Sequence, residues 1–201
     1  MSELTKKALA VSLKKLLSKK ELSKITISNI TDECGVNRQT FYYHFKDIYD
    51  LLEWIYKNEV IDEIDNKDEE WQQRFLYIFK YVLKNKEFVK NTYNSISREY
   101  LLRFIYMQTN KLLIDFIDKE SEGMNITVED KKFMADFYKY GFVGIMLEWI
   151  QDGMKEDINE LVGKISLTLH GTITTSIENF TMWIRFYQNP ADDKFFIIGR
   201  V

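Results

Sequence analysis

Two long polar side chains between Val36 and Phe45 have the chemistry needed to recognise base pairs. Arg38 carries a guanidinium group and Gln39 carries an amide. A guanidinium can bond O6 and N7 of guanine, and an amide can bond N6 and N7 of adenine. Each such pair is worth about 1 to 3 kcal/mol of discrimination against a wrong base. We therefore predict that Arg38 and Gln39 determine sequence specificity on DNA.

A second group of side chains has the chemistry of phosphate contacts. Hydroxyls, ammonium groups and helix N-termini donate to phosphate oxygens and position a protein on DNA without recognising its sequence. The predicted members are Thr26, Ser28, Thr40, Tyr42, Tyr43, His44 and Lys46. Asn37, at the start of the same segment, completes the predicted DNA-binding set. For His44 the alternative is a structural histidine satisfied by neighbouring backbone groups.

Two short helices separated by a glycine turn are predicted to position these side chains. The first should begin at Ser28, bury Ile30 and end at Gly35, and the second should span residues 36–45. At about 100° per residue, Phe41 and Phe45 share one face of that second helix, whereas Gln39 and Tyr43 point away from it. This is the layout of a helix-turn-helix unit.

The flanking segments predict one helix on each side of this unit. Upstream, Thr5 is a suitable N-cap for a helix with an apolar stripe, formed by Leu9, Leu13, Leu16 and Leu17. Downstream, Asp47 and Asp50 have capping-box spacing, so a fourth helix should begin at Asp47 and continue to about residue 66. The fourth helix would connect the DNA-binding unit to the rest of the chain.

Charge is distributed unevenly along the chain. Residues 1–46 contain nine basic and four acidic residues, a net charge of +5, whereas the whole chain has −3 and the remainder therefore −8. A basic end on an acidic protein fits contact with phosphates at that end only, although lysines that merely solvate the first helix would give the same count.

Composition predicts an all-α protein. The chain has 201 residues, 45% of them hydrophobic, and one proline, and its apolar residues recur at helical spacing. The single cysteine, Cys34, excludes an intramolecular disulfide and is expected to be a packed side chain. The lysine-rich N-terminus is unlike a signal peptide, and no apolar run approaches the roughly 18 residues of a membrane helix, so we expect a cytoplasmic protein without membrane contact.

The segment after residue 50 predicts several core-forming helices. Apolar faces recur over residues 71–82 and 101–117, with an irregular segment at 88–97 and a loop at 118–127. Thr127 and Asp130 should cap a long helix ending near Gly153. Asp157 and Glu160 should cap a last helix that continues to about residue 187. The apolar tail from Asn189 to Val201 receives no assignment.

The helix-turn-helix segment resembles the N-terminal DNA-binding signature of the TetR family of transcriptional regulators. The matching residues are Gly35, Val36, Asn37, Thr40, Phe41, Tyr42, His44, Phe45, Leu51 and Leu52. Gln39 replaces a residue that is usually small, and Ile48 replaces a lysine that contacts phosphate, a role that Lys46 could take. The run from Arg38 to Tyr42, followed by the run from Leu51 to Ile55, resembles the branch that contains the dihydroxyacetone kinase regulators.

The resemblance implies residues 1–50 as a DNA-binding domain and residues 51–201 as a helical ligand-binding and dimerisation domain. Family members dimerise through their last two long helices, so a twofold dimer would place two DNA-binding units about 34 Å apart on a palindromic operator. The predicted interface is Gly141, Gly144, Leu161, Ile165, Leu169, Ile173, Ile177, Phe180 and Ile184. A single chain is expected to leave this stripe half exposed.

Control of DNA binding is expected at the C-terminal domain. The candidate lining of an effector cavity is Tyr77, Tyr81, Phe104, Tyr106, Phe137, Tyr140 and Trp149, with Tyr138 nearby. A dense aromatic core would show the same pattern. The family commonly represses transcription, which is the expected outcome here, whereas the similar branch suggests activation with a protein co-regulator.

Other classes of protein fit the sequence less well. The chain has only two histidines and one cysteine, and it lacks a P-loop, a Gly-x-Gly-x-x-Gly motif and a Glu-x-x-His motif. The residues that an enzyme, a metal site or a cofactor site would need are therefore not predicted. His170 is expected to be structural. A helical scaffold or membrane-surface protein anchored by the first helix is the remaining alternative, but that helix lacks large aromatic residues.

Overall fold

The computed structural model describes residues 2–61, 71–94, 98–169 and 171–188, and every regular element within them is helical. The first part contains α1 (Ser2–Leu17), a 3-10 turn (Leu22–Lys24), α2 (Ile27–Cys34), α3 (Arg38–His44) and α4 (Ile48–Tyr56), which continues into a π-helical turn (Lys57–Ile61). The second part contains α5 (Trp71–Lys84), α6 (Lys86–Tyr93), α7 (Arg98–Glu120), α8 (Val128–Gln151), α9 (Ile158–Leu169) and α10 (Thr172–Gln188). The predicted all-α fold is confirmed.

Helices α1 to α3 form the helix-turn-helix unit around a small apolar core. Leu9, Leu13 and Leu17 of α1 are fully buried, together with Ile30 of α2 and Phe41 of α3. Burying such side chains contributes about 1.5 to 3 kcal/mol each, so three short helices that would not be stable alone are held together by their shared core. Cys34 is half-buried against the same core.

Side-chain caps determine where the short helices begin and end. Thr26 Oγ1 accepts from the Asn29 N–H at 3.2 Å, and Asn29 Oδ1 accepts from the Thr26 N–H at 3.0 Å, which forms a capping box. Gly35 ends α2 at φ 74° and ψ 28°, a left-handed conformation that glycine adopts without steric cost. Asp47 Oδ1 accepts from the Asp50 N–H at 2.9 Å, which confirms Asp47 as the cap of the fourth helix, whose first helical residue is Ile48.

Three predicted boundaries in this part are wrong. Helix α1 begins at Ser2, so Thr5 lies inside it and is not the N-cap. Helix α2 begins at Ile27, one residue early, because Thr26 caps it. Helix α3 begins at Arg38 because Asn37 is extended and acts as the N-cap. The predicted end of the fourth helix near residue 66 lies outside the described residues.

Two predictions for the second part are also wrong. Residues 86–93 form helix α6, which buries Phe88 and Val89, in place of the irregular segment expected from residue 88 onward. The predicted last helix is two helices, α9 and α10, with Gly171 at φ 80° before α10. Thr127 caps α8 as predicted, and Asp157 Oδ1 accepts from the Asn159 and Glu160 N–H groups at the start of α9. Helix α7 extends to Glu120 and shortens the predicted loop.

An aromatic cluster fills the centre of the second part. Phe75 of α5 stacks on Phe142 of α8 with ring centroids 4.2 Å apart, and Trp71 meets both rings edge-on. Phe79 of α5 meets Trp149 of α8 at 5.3 Å. Aromatic pairs at these separations add about 0.5 to 1.5 kcal/mol beyond the burial of their area. Helix α5 therefore packs on α8 through these rings and also on α9, which makes it the central helix of this part.

We expect Gly171→Ala to destabilise the protein by about 1 kcal/mol, because an L-residue is strained at φ 80° whatever space surrounds it. Gly163→Ala is the matched control. Gly163 lies within α9, and an added Cβ would meet no atom within 4 Å, so this change should be neutral or stabilising. Urea unfolding at one protein concentration measures both, and equal shifts of the two midpoints would contradict the assigned conformation of Gly171.

Candidate nucleic-acid interface

Helix α3 presents its polar side chains to solvent and its aromatic anchors to the core. Phe41 is fully buried and Phe45 is 3% exposed, whereas Tyr43 is 81% exposed and Arg38 and Gln39 are also exposed. The predicted division of this helix into a buried and an outward face is therefore confirmed. Rings of Phe45 and Trp54 meet edge-on at 6.0 Å, which anchors the end of α3 on α4.

Asn37 and Thr40 form a local hydrogen-bonded pair at the start of α3. Asn37 Oδ1 accepts from the Thr40 N–H at 2.8 Å and from the Thr40 hydroxyl at 3.0 Å. The cap occupies the oxygen of Asn37, so this residue holds Arg38 and Gln39 at the exposed first turn of α3. The hydroxyl oxygen of Thr40 retains lone pairs, but its proton is directed to Asn37.

The start of α2 contains a lysine that sequence reasoning did not single out. Lys20 Nζ donates to Asn29 Oδ1 at 3.3 Å, which brings an ammonium group to the helix N-terminus capped by Thr26. An ammonium beside a helix N-terminus is a favourable place for phosphate. Ser28 is half-buried and Thr26 is exposed. The sequence does not distinguish Lys20 from the other lysines nearby, because its closeness to Asn29 depends on the turn between α1 and α2.

His44, Lys46 and Asp50 lie where α3 passes to α4. The His44 imidazole is half-buried and meets the Tyr43 ring edge-on at 4.9 Å. The Lys46 N–H donates to Asp50 Oδ2 at 2.9 Å, while its side chain is exposed one residue before the N-cap of α4. Ile48 is half-buried against the core. The side chain of Lys46 thus lies exposed immediately before the start of α4.

Not every lysine of the basic segment points to a nucleic acid. Lys15 of α1 pairs with Glu33 of α2 inside the helix-turn-helix unit. The hydrogen bond and charge of Lys15 lower the pKa of the Glu33 carboxyl below its ordinary value. Lys14 pairs with Glu59, beyond the unit. The count of nine basic residues in 1–46 therefore includes at least two whose ammonium groups are paired within the protein.

Residues predicted to line an effector cavity lie in different environments. Trp149 is 4% exposed and donates from Nε1 to the Glu156 carbonyl at 3.0 Å, and Phe104 stacks on Tyr56 at 5.0 Å. By contrast, Phe137 and Tyr140 are 67% and 62% exposed. Half-buried Tyr77, Tyr81 and Tyr106 complete the set. Trp149 is thus a core residue and Phe104 packs against the core, whereas Phe137 and Tyr140 lie on the surface.

The apolar stripe predicted for the dimer interface is mostly core. Leu161, Ile165, Ile173 and Ile177 are at most 6% exposed within one chain, so the expectation that a single chain leaves them half exposed is wrong. The reason is tertiary: α9 packs on α5, and α10 packs on α7 and α8. Leu169, Phe180 and Ile184 are half-buried, and Gly141 and Gly144 are exposed.

A different apolar surface lies on α8 and α10, and we call it the α8–α10 face. Its large residues are exposed to between 38% and 67%, and on α8 they recur at helical spacing. They are Phe133, Phe137, Tyr140, Ile145, Met182 and Trp183, with Gly141 and Gly144 between them. The rings of Phe133 and Phe180, 6.3 Å apart, connect the two helices.

Within the described residues, no helix combines the length and the apolar character that crossing a membrane requires. In the same part of the chain, no cluster of three histidine, cysteine or acidic side chains could hold a metal ion.

Known families match both parts of the chain. Residues 12–55 match the model described as bacterial regulatory proteins of the tetR family, and residues 69–171 match a transcriptional regulator C-terminal region of the TetR type. Together with the fold, these matches place the chain in the TetR family. It is a DNA-binding transcriptional regulator and not an enzyme.

Among similar proteins is the HTH-type dhaKLM operon transcriptional activator DhaS of Lactococcus lactis subsp. lactis (strain IL1403). It is 29% identical over 124 residues, which cover 61% of this chain and 66% of that protein, just under two thirds of its length. A solved structure of a dihydroxyacetone kinase operon activator DhaS superposes with a TM-score of 0.70 and 26% identity, covering 85% of this chain and 97% of that one.

The fatty acid degradation regulator FadR from Bacillus halodurans shares the fold at a TM-score of 0.56 and 15% identity, with 82% of this chain and 93% of that chain covered. The predicted resemblance to the dihydroxyacetone kinase regulator branch is confirmed.

Proposed function

We propose that this protein binds a palindromic operator as a homodimer and is controlled through its C-terminal helices. In this proposal residues 1–50 bind DNA, and residues 51–201 dimerise and receive the controlling signal. The observation that carries it is the two-sided helix α3, whose buried Phe41 and Phe45 hold Arg38, Gln39 and Tyr43 toward solvent.

Base recognition is assigned to the first turn of α3. Arg38 and Gln39 follow the Asn37 cap, are exposed, and can each make two hydrogen bonds to one base in the major groove. The later side chains of the same helix are assigned to contacts with the DNA phosphate backbone on either side of the groove. These are Thr40, Tyr42, Tyr43 and His44. Phosphate contacts are also assigned to three residues at or next to the N-termini of helices, which are Thr26, Ser28 and Lys46.

Dimerisation is assigned to the α8–α10 face. An exposed apolar surface of this extent on two adjacent helices marks an interaction site. A second copy is the occupant that the family resemblance implies, with the two helices of each chain forming a four-helix bundle. The glycines at 141 and 144 are exposed and an added Cβ there would meet no atom of the same chain, so they leave room for a partner helix.

The sign of regulation has two candidates. Repression is the commoner outcome in the family. An effector would relieve it by shifting the population of dimer conformations toward one in which the spacing of the two DNA-binding units no longer fits the operator. Activation is favoured by the name of the similar protein DhaS, which both its sequence and its solved structure carry as an operon activator. In the second case a protein co-regulator is favoured, because Trp149 is buried in the core and the half-buried Phe104 ring stacks on Tyr56.

Selection of bound sequences from a random duplex pool by the full chain tests the proposed function. A dimer bound to an enriched palindrome is the expected result, and the genes beside such sites identify the regulated operon. Transcription from that promoter with and without the protein then separates repression from activation. Enrichment of a non-palindromic site by a monomer would exclude the dimer model.

Arg38→Ala should weaken operator binding and relax preference at one base position, at a cost of about 1 to 3 kcal/mol, because it removes a bidentate contact. Repeating the selection with this variant measures the preference. An unchanged preference at every position would remove Arg38 from the specificity-determining set.

Lys46→Ala should lower affinity for all sequences alike and reduce the slope of log affinity against log salt by about one, because one phosphate contact is lost. Lys15→Ala provides a matched control, since the Lys15 ammonium is paired with Glu33. A slope that Lys46→Ala leaves unaltered would show that Lys46 contacts no phosphate.

Phe137→Lys should convert the dimer to a monomer, because it places a charge at the centre of the α8–α10 face where a partner would exclude water. Val11→Lys, at a 64% exposed apolar position on α1, is the control and should remain dimeric. Sedimentation across a range of concentrations distinguishes the two states. A Phe137→Lys variant that remains as dimeric as the control would place the interface elsewhere.

A further inference from the structure

One carboxylate joins the helix-turn-helix unit to the C-terminal helices. Glu59 Oε2 accepts from Lys14 Nζ of α1 at 2.5 Å and from the Tyr81 hydroxyl of α5 at 2.9 Å. Glu59 itself belongs to the π-helical turn that continues α4. A single oxygen atom therefore connects three segments of the chain: the DNA-binding unit, the connecting helix and the central helix of the second part.

The position of Glu59 on its helix explains why this carboxylate needs partners. Leu51, Leu52, Ile55 and Tyr56 are all buried, and Glu59 follows Ile55 by four residues on the same side. Its side chain is 32% exposed and that of Lys14 is 23% exposed. A charge partly removed from water is costly unless it is paired and hydrogen-bonded. Lys14 and Tyr81 supply the charge and the second donor.

The Lys14 ammonium has a further connection to the C-terminal helices. It lies 5.7 Å from the ring centroids of both Tyr81 and Phe88, on α5 and α6, within the range of a cation–π attraction. Three residues farther along α1, the Leu17 carbonyl accepts from the Asn91 side-chain amide of α6 at 2.6 Å. Helix α1 is thus held at two neighbouring points on one side.

Directional contacts are needed here because apolar packing alone does not determine an orientation. The buried leucines of α1 contribute attraction that is roughly proportional to area and has no preferred direction. Hydrogen bonds weaken steeply when their angles change, so the contacts of Glu59 and Asn91 select one orientation of α1. Helix α4 alone would transmit orientation less strictly, because the π-helical turn interrupts its regular hydrogen bonding at residues 57–61.

We propose that Glu59 is a positioning residue that holds the helix-turn-helix unit at one orientation on the C-terminal helices. It touches no DNA in this role and acts through Lys14 and Tyr81. Its consequence for DNA, a fixed separation of the two units of a dimer, rests on the function proposed above. The orientation within one chain does not depend on that function and can be measured without DNA.

The distance between two spin labels in the full chain measures this orientation. Labels are attached at Ser23→Cys and Glu122→Cys, both at exposed positions, in a Cys34→Ser background. Labelled chains are diluted with an excess of unlabelled protein, so that only distances within one chain contribute. Glu59→Gln removes the charge and keeps an acceptor oxygen, and Tyr81→Phe removes one hydroxyl only. Lys15→Met breaks the Lys15–Glu33 pair inside the DNA-binding unit and is the matched control.

Glu59→Gln should broaden the distance distribution or add a second maximum, and Tyr81→Phe should do so to a smaller extent. Lys15→Met should leave the distribution as narrow as that of the unmodified chain. If Glu59→Gln fails to fold, the milder Tyr81→Phe variant decides. A distribution that stays as narrow as that of the control in the folded Glu59 or Tyr81 variants would overturn the proposal and leave apolar packing as the source of orientation.

DNA binding then tests the consequence separately. Duplexes carrying two selected half-sites at different separations are compared, and the unmodified chain should prefer one separation. Glu59→Gln should reduce that preference by about tenfold while its affinity for a single half-site is unchanged, because the recognition helix is untouched. If the unmodified chain itself shows no preferred separation, the dimer model fails, and the distance measurement still decides the role of Glu59.

Discussion

The burial of Phe41 and Phe45 is the constraint on which DNA binding depends. Both rings are buried beneath α3, which packs on α1 and α2, and the Phe45 ring also meets Trp54 of α4, so this face of α3 must stay toward the core. That rotation places Arg38, Gln39 and Tyr43 outward. Because a polar residue in place of either ring would be buried without partners, the apolar face and the recognition face are determined together.

Helix caps and turns also determine the position of the outward face of α3. Seven residues of α3 form a helix too short to persist alone, and the Asn37 cap with its two hydrogen bonds from Thr40 determines where that helix begins. The left-handed Gly35 turns the chain between α2 and α3. These local contacts bring the Arg38 and Gln39 side chains to the first exposed turn, which is where a recognition helix meets base edges.

Aromatic packing gives the C-terminal helices a rigid centre and leaves a second surface outside it. The Phe75, Phe142 and Trp149 rings are used inside the chain, whereas Phe137 and Tyr140, on the same helix α8, are exposed. Helix α5 contributes Phe75 and Phe79 to this centre and also carries Tyr81, whose hydroxyl donates to Glu59. The proposed dimer surface and the proposed positioning contact therefore lie on helices that pack on the same aromatic centre.

The helix-turn-helix unit could be predicted from the sequence, since its apolar period, its glycine turn and the Asp47 cap are local signals that act within a few residues. Local signals also indicated the Thr127 and Asp157 caps. Which apolar stripe forms the core depends on how the helices pack. Apolar residues recur at helical spacing in both stripes, yet one is buried and the other, which contains Phe137, is exposed; the buried residues are Leu161, Ile165, Ile173 and Ile177. Glu59, Lys14 and Tyr81 are far apart along the chain, and their meeting depends on how α1, α4 and α5 pack, which no local pattern encodes.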